Sequence, residues 1–189
     1  MQNEYYKTRE SVAEYIEMAK DVSGKDLIDQ FRKYFPGKAK ILELGSDPGT
    51  DWKILSQYFD VTGSDYSMEF LNHLKAENPK GTFLELDAIT LETERHFDGI
   101  YSSKVLHHLS DHELEASIKR QHDILNHDGI ICHSFWKGEG KEDFKGMFVN
   151  YHEEEELRQL FGVHFEILVL EAYAEFEDGD SLLLIARKK

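Results

Sequence analysis

Cysteine is almost absent from this chain: Cys132 is the only one among 189 residues. It permits no internal disulfide, and no group of thiolates is present to hold a zinc ion or an iron–sulfur cluster. Proline is equally sparse, at three, and no run approaches the roughly 18 apolar residues a membrane span needs. The opening stretch MQNEYYKTRESVAEY is polar and of mixed charge, unlike a signal peptide. Basic residues are few: 22 Lys and Arg stand against 37 Asp and Glu, a formal net charge of −15. A field of that sign repels nucleic-acid phosphates and anionic lipid, so neither nucleic acid nor a membrane is an expected partner. Apolar residues are plentiful. Hydrophobic residues make up 40% of the chain and aromatics 12%, enough to fill a core and too much for a disordered protein. The expectation is a single domain in a reducing compartment, the cytoplasm.

Periodicity supplies the order of elements. Val12, Tyr15, Ile16 and Ala19 recur at helical spacing, as do Leu27, Ile28, Phe31 and Phe35 after Gly24, until Pro36-Gly37 stops the pattern. Short apolar runs then alternate with helical ones. Strands are expected at 40–44, 61–64, 82–86, 97–102 and 129–135, with helices at 50–58, 67–76 and 111–126. The stretch 137–146, rich in Gly, Lys and Glu, reads as a loop. A helix over 153–161 and two strands, 163–170 and 181–186, close the chain. The alternation implies a doubly wound α/β sheet that is mostly parallel, and the terminal hairpin requires one antiparallel strand. Ligands of such sheets bind at the carboxyl ends of the strands, where the strand order reverses.

Three features fall at those ends. Ile41-Leu42-Glu43-Leu44-Gly45-Ser46-Asp47-Pro48-Gly49 is an apolar strand running into a glycine-containing turn and then a helix. Such a turn lets backbone approach a ligand closely, although Gly45 and Gly49 are four apart and no glycine occupies position 47, so it is not the dinucleotide fingerprint. Asp65 ends the second strand twenty residues after Gly45, where a carboxylate can accept from both hydroxyls of a ribose. Asp87 ends the third strand, placed to accept from the exocyclic amine of an adenine.

On these residues the chain resembles the class I S-adenosylmethionine-dependent methyltransferases, of the compact type common among bacterial small-molecule enzymes. Glu43, Gly45 and Gly49 match the first motif of that family, with Asp47 in place of its middle glycine. Asp65 matches the ribose-binding acid, and Asp87 with Ala88 the adenine site. Phe97-Asp98-Gly99-Ile100-Tyr101-Ser102 resembles the motif on the fourth strand, and Val105-Leu106-His107-His108-Leu109 the segment after it. The resemblance spans roughly residues 38–189. It implies a seven-stranded sheet of order 3-2-1-4-5-7-6, with residues 1–37 as a helical cover and 38–189 as the cofactor-binding domain. It also implies S-adenosyl-L-methionine as cofactor and S-adenosyl-L-homocysteine as product. Glu43, Gly45, Asp47, Gly49, Asp65, Tyr66, Asp87, Ala88 and Ser102 are the cofactor-binding positions it marks out. Asp tolerates left-handed backbone better than most residues, so the turn can survive the substitution at 47. Its carboxylate near the methionine end can attract the ammonium or sulfonium, or repel the cofactor's own carboxylate, giving altered geometry or weaker affinity.

The histidines carry two readings. His108 and His112 have the i, i+4 spacing of a metal pair, but Ser110-Asp111-His112-Glu113 reads as a capping box that starts the helix between them, and no metal site is expected. His122, His127 and His133 read as helix-surface and strand residues. His107 and His108 follow the fourth strand tip, where the family places the acceptor. Each is either packed there or takes or orients the acceptor's proton, and they are the candidate catalytic residues. Trp136 and Tyr151 are candidate walls of an acceptor pocket, with a core role as the alternative. In the N-terminal helix, Tyr5, Tyr6 and Arg9 are placed to cover the cleft, Arg9 as a partner for a carboxylate; alternatively the helix simply closes the sheet.

The expected reaction is direct displacement at the cofactor methyl by O, N, S or C of a small-molecule acceptor. Alignment carries most of the catalysis, and a base is needed only if the nucleophile arrives protonated. Two other classes compete: a protein that binds the cofactor without transferring the methyl, and a nicotinamide-dependent oxidoreductase of shared topology. The acceptor, the atom methylated, the oligomeric state and the pathway are not encoded in any feature above.

Overall fold

The computed structural model describes residues 9–18, 22–144 and 146–189. Its centre is a seven-stranded sheet built from β1 (Lys40–Leu44), β2 (Asp60–Asp65), β3 (Thr82–Glu85), β4 (Phe97–Ser103), β5 (Leu125–Trp136), β8 (Phe165–Tyr173) and β9 (Ser181–Lys188). The spatial order is β3-β2-β1-β4-β5-β9-β8. Strands β1 to β5 pair in parallel, and β9 runs antiparallel to both its neighbours. Counting sheet strands alone, this is the expected 3-2-1-4-5-7-6.

The remaining two strands correct the sequence reading. The stretch 137–146, expected as a loop, contains β6 (Lys141–Phe144), which forms a separate hairpin with β7 (Met147–Asn150) just beyond it. Helices α1 (Arg9–Met18), α2 (Lys25–Phe31), α3 (Thr50–Leu55), α4 (Met68–Glu77), α5 (Asp111–Ile124) and α6 (Glu154–Gly162) complete the chain. No helix among the described residues is long and apolar enough to cross a membrane.

Period-two alternation sorts the core into two layers. Leu42 and Leu44 of β1, with Leu182, Leu184 and Ala186 of β9, face Leu114, Ile118, Leu157 and Phe161 of α5 and α6. Ile41, with Leu183 and Ile185, faces Leu27, Ile28 and Phe31 of α2 and Leu55 of α3. Both faces of the central strands are therefore buried, which is why they read as continuous apolar runs. Caps fix where the helices start. Ser67 Oγ accepts from Phe70 N at the start of α4, and Ser110 with Glu113 forms the expected capping box on α5.

The chain leaves β1 for β2 on one side and, after β3, crosses to β4 on the other. That reversal opens a crevice at the carboxyl ends of β1 and β4. Tyr5, Tyr6 and the Arg9 side chain lie outside the described residues.

Candidate cofactor and acceptor site

The turn after β1 is shaped by left-handed backbone at every second residue: Gly45 has φ 62°, Asp47 φ 44° and Gly49 φ 85°. The aspartate thus adopts the conformation a glycine would take, as its short polar side chain allows. Gly45 could not be larger, because a Cβ there would lie 2.6 Å from the Val105 side chain. The turn presses against β2, with Ser46 N donating to Ser64 O at 2.8 Å, and this brings the tips of β1 and β2 together.

Two cavities meet at this turn. The first, of about 320 Å³, contains Gly45, Asp65, Tyr66, Asp87 and Ala88, closed by apolar Ile89 and Leu109. The second, of about 250 Å³, runs past Glu43, Asp51 and Tyr101 to Trp136 and Phe176. Tyr15, Gly45, Asp47 and Lys104 line both and form the neck between them.

The charge in this region is one-sided. Asp65 Oδ1 accepts from Ser67 N at 2.8 Å and Oδ2 from Asp47 N at 3.2 Å; burial nonetheless pushes its carboxyl up to about 6. Asp47 accepts from the Tyr15 hydroxyl at 3.3 Å, yet desolvation, then the charge of Asp65, holds it well above the usual carboxylate range. Glu43 is buried with Ser46 Oγ as donor at 2.5 Å, and desolvation raises it well above that range too. Asp51 takes Gly24 N and the Tyr101 hydroxyl, each at 2.7 Å, and is raised by burial.

Among the described residues, Lys104 is the only lysine or arginine in either lining. Its ammonium is already engaged. It donates to Phe135 O at 3.1 Å and Ser181 Oγ at 2.6 Å, lies 3.6 Å from Glu175 and sits 3.4 Å above the Trp136 ring. Burial lowers it to about 8.

The other candidates separate into distinct surroundings. His108 lines the first cavity; its Nδ1 lies 2.6 Å from Phe148 O, so that nitrogen carries the proton, and burial lowers the pKa of the ring. His107 lines neither cavity. It is buried, its ring lies 4.0 Å from that of His108, its Nδ1 has no hydrogen-bond partner among the described residues, and burial holds the imidazole well below its ordinary value. Gly49 is buried at the N-cap of α3, packed on Leu74, and stays outside both linings.

Ser102 also stays outside. It is fully buried and belongs to a hydrogen-bonded chain in which Ser102 Oγ donates to His133 Nδ1, and His133 Nε2 to Gln121 Oε1, both at 2.8 Å. Gln121 Nε2 donates to Ser117 Oγ at 3.1 Å, and Ser117 to Ala88 O at 2.6 Å. Ser102 therefore reaches the first cavity only through the backbone of Ala88. Trp136 does line the second cavity, stacked on Phe176 at 5.9 Å. Tyr151 lines neither cavity and donates to Glu142 Oε1 at 2.5 Å on the β6–β7 hairpin.

Sequence reasoning passed over Tyr15, Asp51 and Lys104. Position alone marked the last, since Lys104 directly follows strand β4.

Known proteins share this fold. Residues 41–129 match the family described as a methyltransferase domain. An uncharacterized methyltransferase of Oceanobacillus iheyensis is 30% identical over 135 residues, which are 64% of this chain and 62% of that protein, so the match spans less than two thirds of the relative's length. The 1,6-didemethyltoxoflavin-N1-methyltransferase of Burkholderia thailandensis, solved with its substrate and S-adenosylhomocysteine, superposes with a TM-score of 0.80 at 20% identity. That match covers 95% of this chain and 84% of the other. The N-methyltransferase NodS of Bradyrhizobium japonicum, solved with S-adenosylhomocysteine, gives 0.75 at 16% identity and covers 99% of each chain. At these identities the structures establish the fold. The fold is that of the class I S-adenosylmethionine-dependent methyltransferases, and residues 41–129 resemble their methyltransferase domain.

Proposed function

We propose that this protein transfers the methyl group of S-adenosylmethionine to a nucleophilic atom of a small-molecule acceptor. The observation that carries the reading is the meeting of Asp65, Asp87 and the Gly45–Gly49 turn around one cavity that adjoins a second along Tyr15, Gly45, Asp47 and Lys104. The donor set suits the cofactor. Asp65, its oxygens oriented by two backbone N–H groups, offers a bidentate acceptor to a ribose diol. Asp87 faces the same cavity beside the apolar walls of Ala88, Ile89 and Leu109, a fitting slot for a purine ring. Tyr66 and Gly45 complete that lining, while Gly49 shapes the turn and Ser102 acts through the chain that holds Ala88. Glu43 faces the second cavity, where a cationic ammonium offsets its burial, and Asp47 stands between the two cavities.

When bound, the cofactor supplies an electrophilic methyl on a sulfonium whose leaving group is a neutral thioether, so this chain needs no acid to release it. The chain's part is alignment and exclusion of water. Tyr15, the described residue of the 1–37 segment that reaches both cavities, makes that segment a cover over the neck, and residues 38–189 hold the cofactor. Trp136 forms the acceptor wall, its ring fixed between the Lys104 ammonium and Phe176. Of the two candidate histidines, His108 is the one facing a cavity, neutral and with Nε2 as a proton acceptor, so it is the better placed base. His107 packs behind it. The small-molecule relatives in the comparisons support an acceptor of that class.

Calorimetric titration with S-adenosylhomocysteine, with NADH as control, tests the reading. One-site binding of the nucleoside and none of NADH is expected. NADH binding in its place would favour an oxidoreductase, and no binding of either would remove the cofactor.

A further inference from the structure

We infer that Asp47 makes this site select its cofactor by charge, favouring the cationic S-adenosylmethionine over the neutral S-adenosylhomocysteine that methyl transfer leaves behind. The inference rests on the cofactor reading above and extends it to the release of product.

The two nucleosides differ by one methyl group and one positive charge at sulfur; their ammonium and carboxylate are shared. Discrimination therefore depends on what charge the protein places beside the sulfur. A ligand whose diol sits on Asp65 and whose tail enters the second cavity must pass its sulfur through the neck formed by Tyr15, Gly45, Asp47 and Lys104. Only two of those residues carry charge. Lys104 is tied to Phe135 O, Ser181 Oγ and Glu175 and covered by the Trp136 ring. Asp47 is left as the group whose charge the sulfur meets.

Three observations strengthen this assignment. The carboxylate occupies a left-handed position, φ 44°, that glycine would fill with less strain, so it is present against the backbone's preference. Its neighbours deepen the negative potential, because Asp65 from β2 and Asp51 from α3 both act on it electrostatically, and Glu43 lies below. Finally, Tyr15 of α1 donates to it, which fixes the carboxylate at the mouth of the neck. A sulfonium beside Asp47 offsets the desolvation of its carboxylate, whereas the neutral thioether of the product offers no charge in its place. At an effective dielectric near 20, one charge pair at contact distance is worth on the order of a thousandfold in affinity, and the cost of desolvating both charges leaves a net preference on the order of tenfold to a hundredfold. The consequence is weak inhibition by product, so the protein keeps working as S-adenosylhomocysteine accumulates.

The test is calorimetry at pH 8 with both nucleosides on the wild type, Asp47→Asn and Asp47→Gly, with thermal melts to show that each variant is folded. The wild type is expected to bind S-adenosylmethionine at least about tenfold more tightly than S-adenosylhomocysteine. In both variants the ratio should fall to within about twofold, mainly through weaker binding of the methylated form. Asp47→Gly relaxes the turn while Asp47→Asn keeps its shape, so agreement between them isolates charge from geometry. An unchanged ratio in either folded variant, or equal loss of both nucleosides, would overturn the inference while leaving the cofactor reading intact. Failure of the wild type to bind either nucleoside would remove the cofactor reading, and this inference with it.

Discussion

Two sets of buried polar groups lie within this fold, and they are built on opposite principles. The chain from Ser102 through His133, Gln121 and Ser117 to Ala88 O is neutral throughout, and each member has its partner in a fixed donor direction. Glu43, Asp47, Asp51 and Asp65 form the other set. They crowd one end of the sheet, each raised by desolvation, and Lys104, the only lysine or arginine lining either cavity among the described residues, is engaged elsewhere. A closed network stabilises and specifies a core; an acidic set left short of positive charge costs stability until a cation arrives. The contrast distinguishes packing from function without reference to any relative.

The largest effect that could break this contrast is at Asp65. Asp65→Ala removes the carboxylate proposed to take two hydroxyl hydrogen bonds, and the affinity for S-adenosylhomocysteine should fall by about 100-fold or more by calorimetry. Loss within about threefold would mean that the acid serves only the turn. Next in size is His133→Leu, which leaves Ser102 and Gln121 buried with unmet donors and acceptors. Chemical denaturation should show a loss of about 3 kcal/mol, with nucleoside affinity within about threefold of the wild type. A tenfold loss of affinity with unchanged stability would instead place the chain in the site.

Acidification should separate the two sets by sign. Burial lowers His133 to about 3, so below its ordinary 6.5 the unfolded chain binds the proton first. Its contribution is present at neutral pH and is lost on acidification, by about 2 kcal/mol at pH 5. Asp65, raised to about 6, works oppositely: between about 4 and 6 the native state holds the extra proton, so apo stability gains as pH falls through that window. Comparing the pH profile of stability for His133→Leu with that of the wild type isolates the first trend. Nucleoside affinity should rise from pH 5 to pH 8, as Asp65 must be ionised to accept both hydroxyls. A flat profile would contradict the assigned role of Asp65.

Much of this was legible in sequence because the signals are local. An acid at a strand tip, a turn that bends at alternate residues and a capping box each lie within a few residues, and the parallel order follows from their alternation. What escaped depends on long reach. Tyr15 meets Asp47 across 32 positions, and Ser102 finds His133 across 31, which turns it away from the cavity. The β6–β7 hairpin escaped for another reason. Lys141, Glu142 and Asp143 are exposed, and among the described residues their strand is paired only with β7, so no apolar alternation marks them; burial begins only at Val149 and Asn150.

That hairpin carries the smallest prediction. Tyr151 reads as an acceptor wall from its place after β5, the same reasoning that leads to Trp136, yet of the pair only Trp136 lines one of the two cavities at the turn. The Tyr151 hydroxyl instead reaches Glu142 at the protein surface, and that carboxylate raises its pKa. Such an exposed bond contributes little, because water replaces either partner when the other is removed. Tyr151→Phe should therefore change stability by no more than about 0.5 kcal/mol and leave nucleoside affinity unaltered, read by denaturation and calorimetry. If Tyr151→Phe weakened nucleoside binding, the hairpin would have to fold over the neck when ligand is present. The boundary between site and scaffold would then move outward to include β6 and β7.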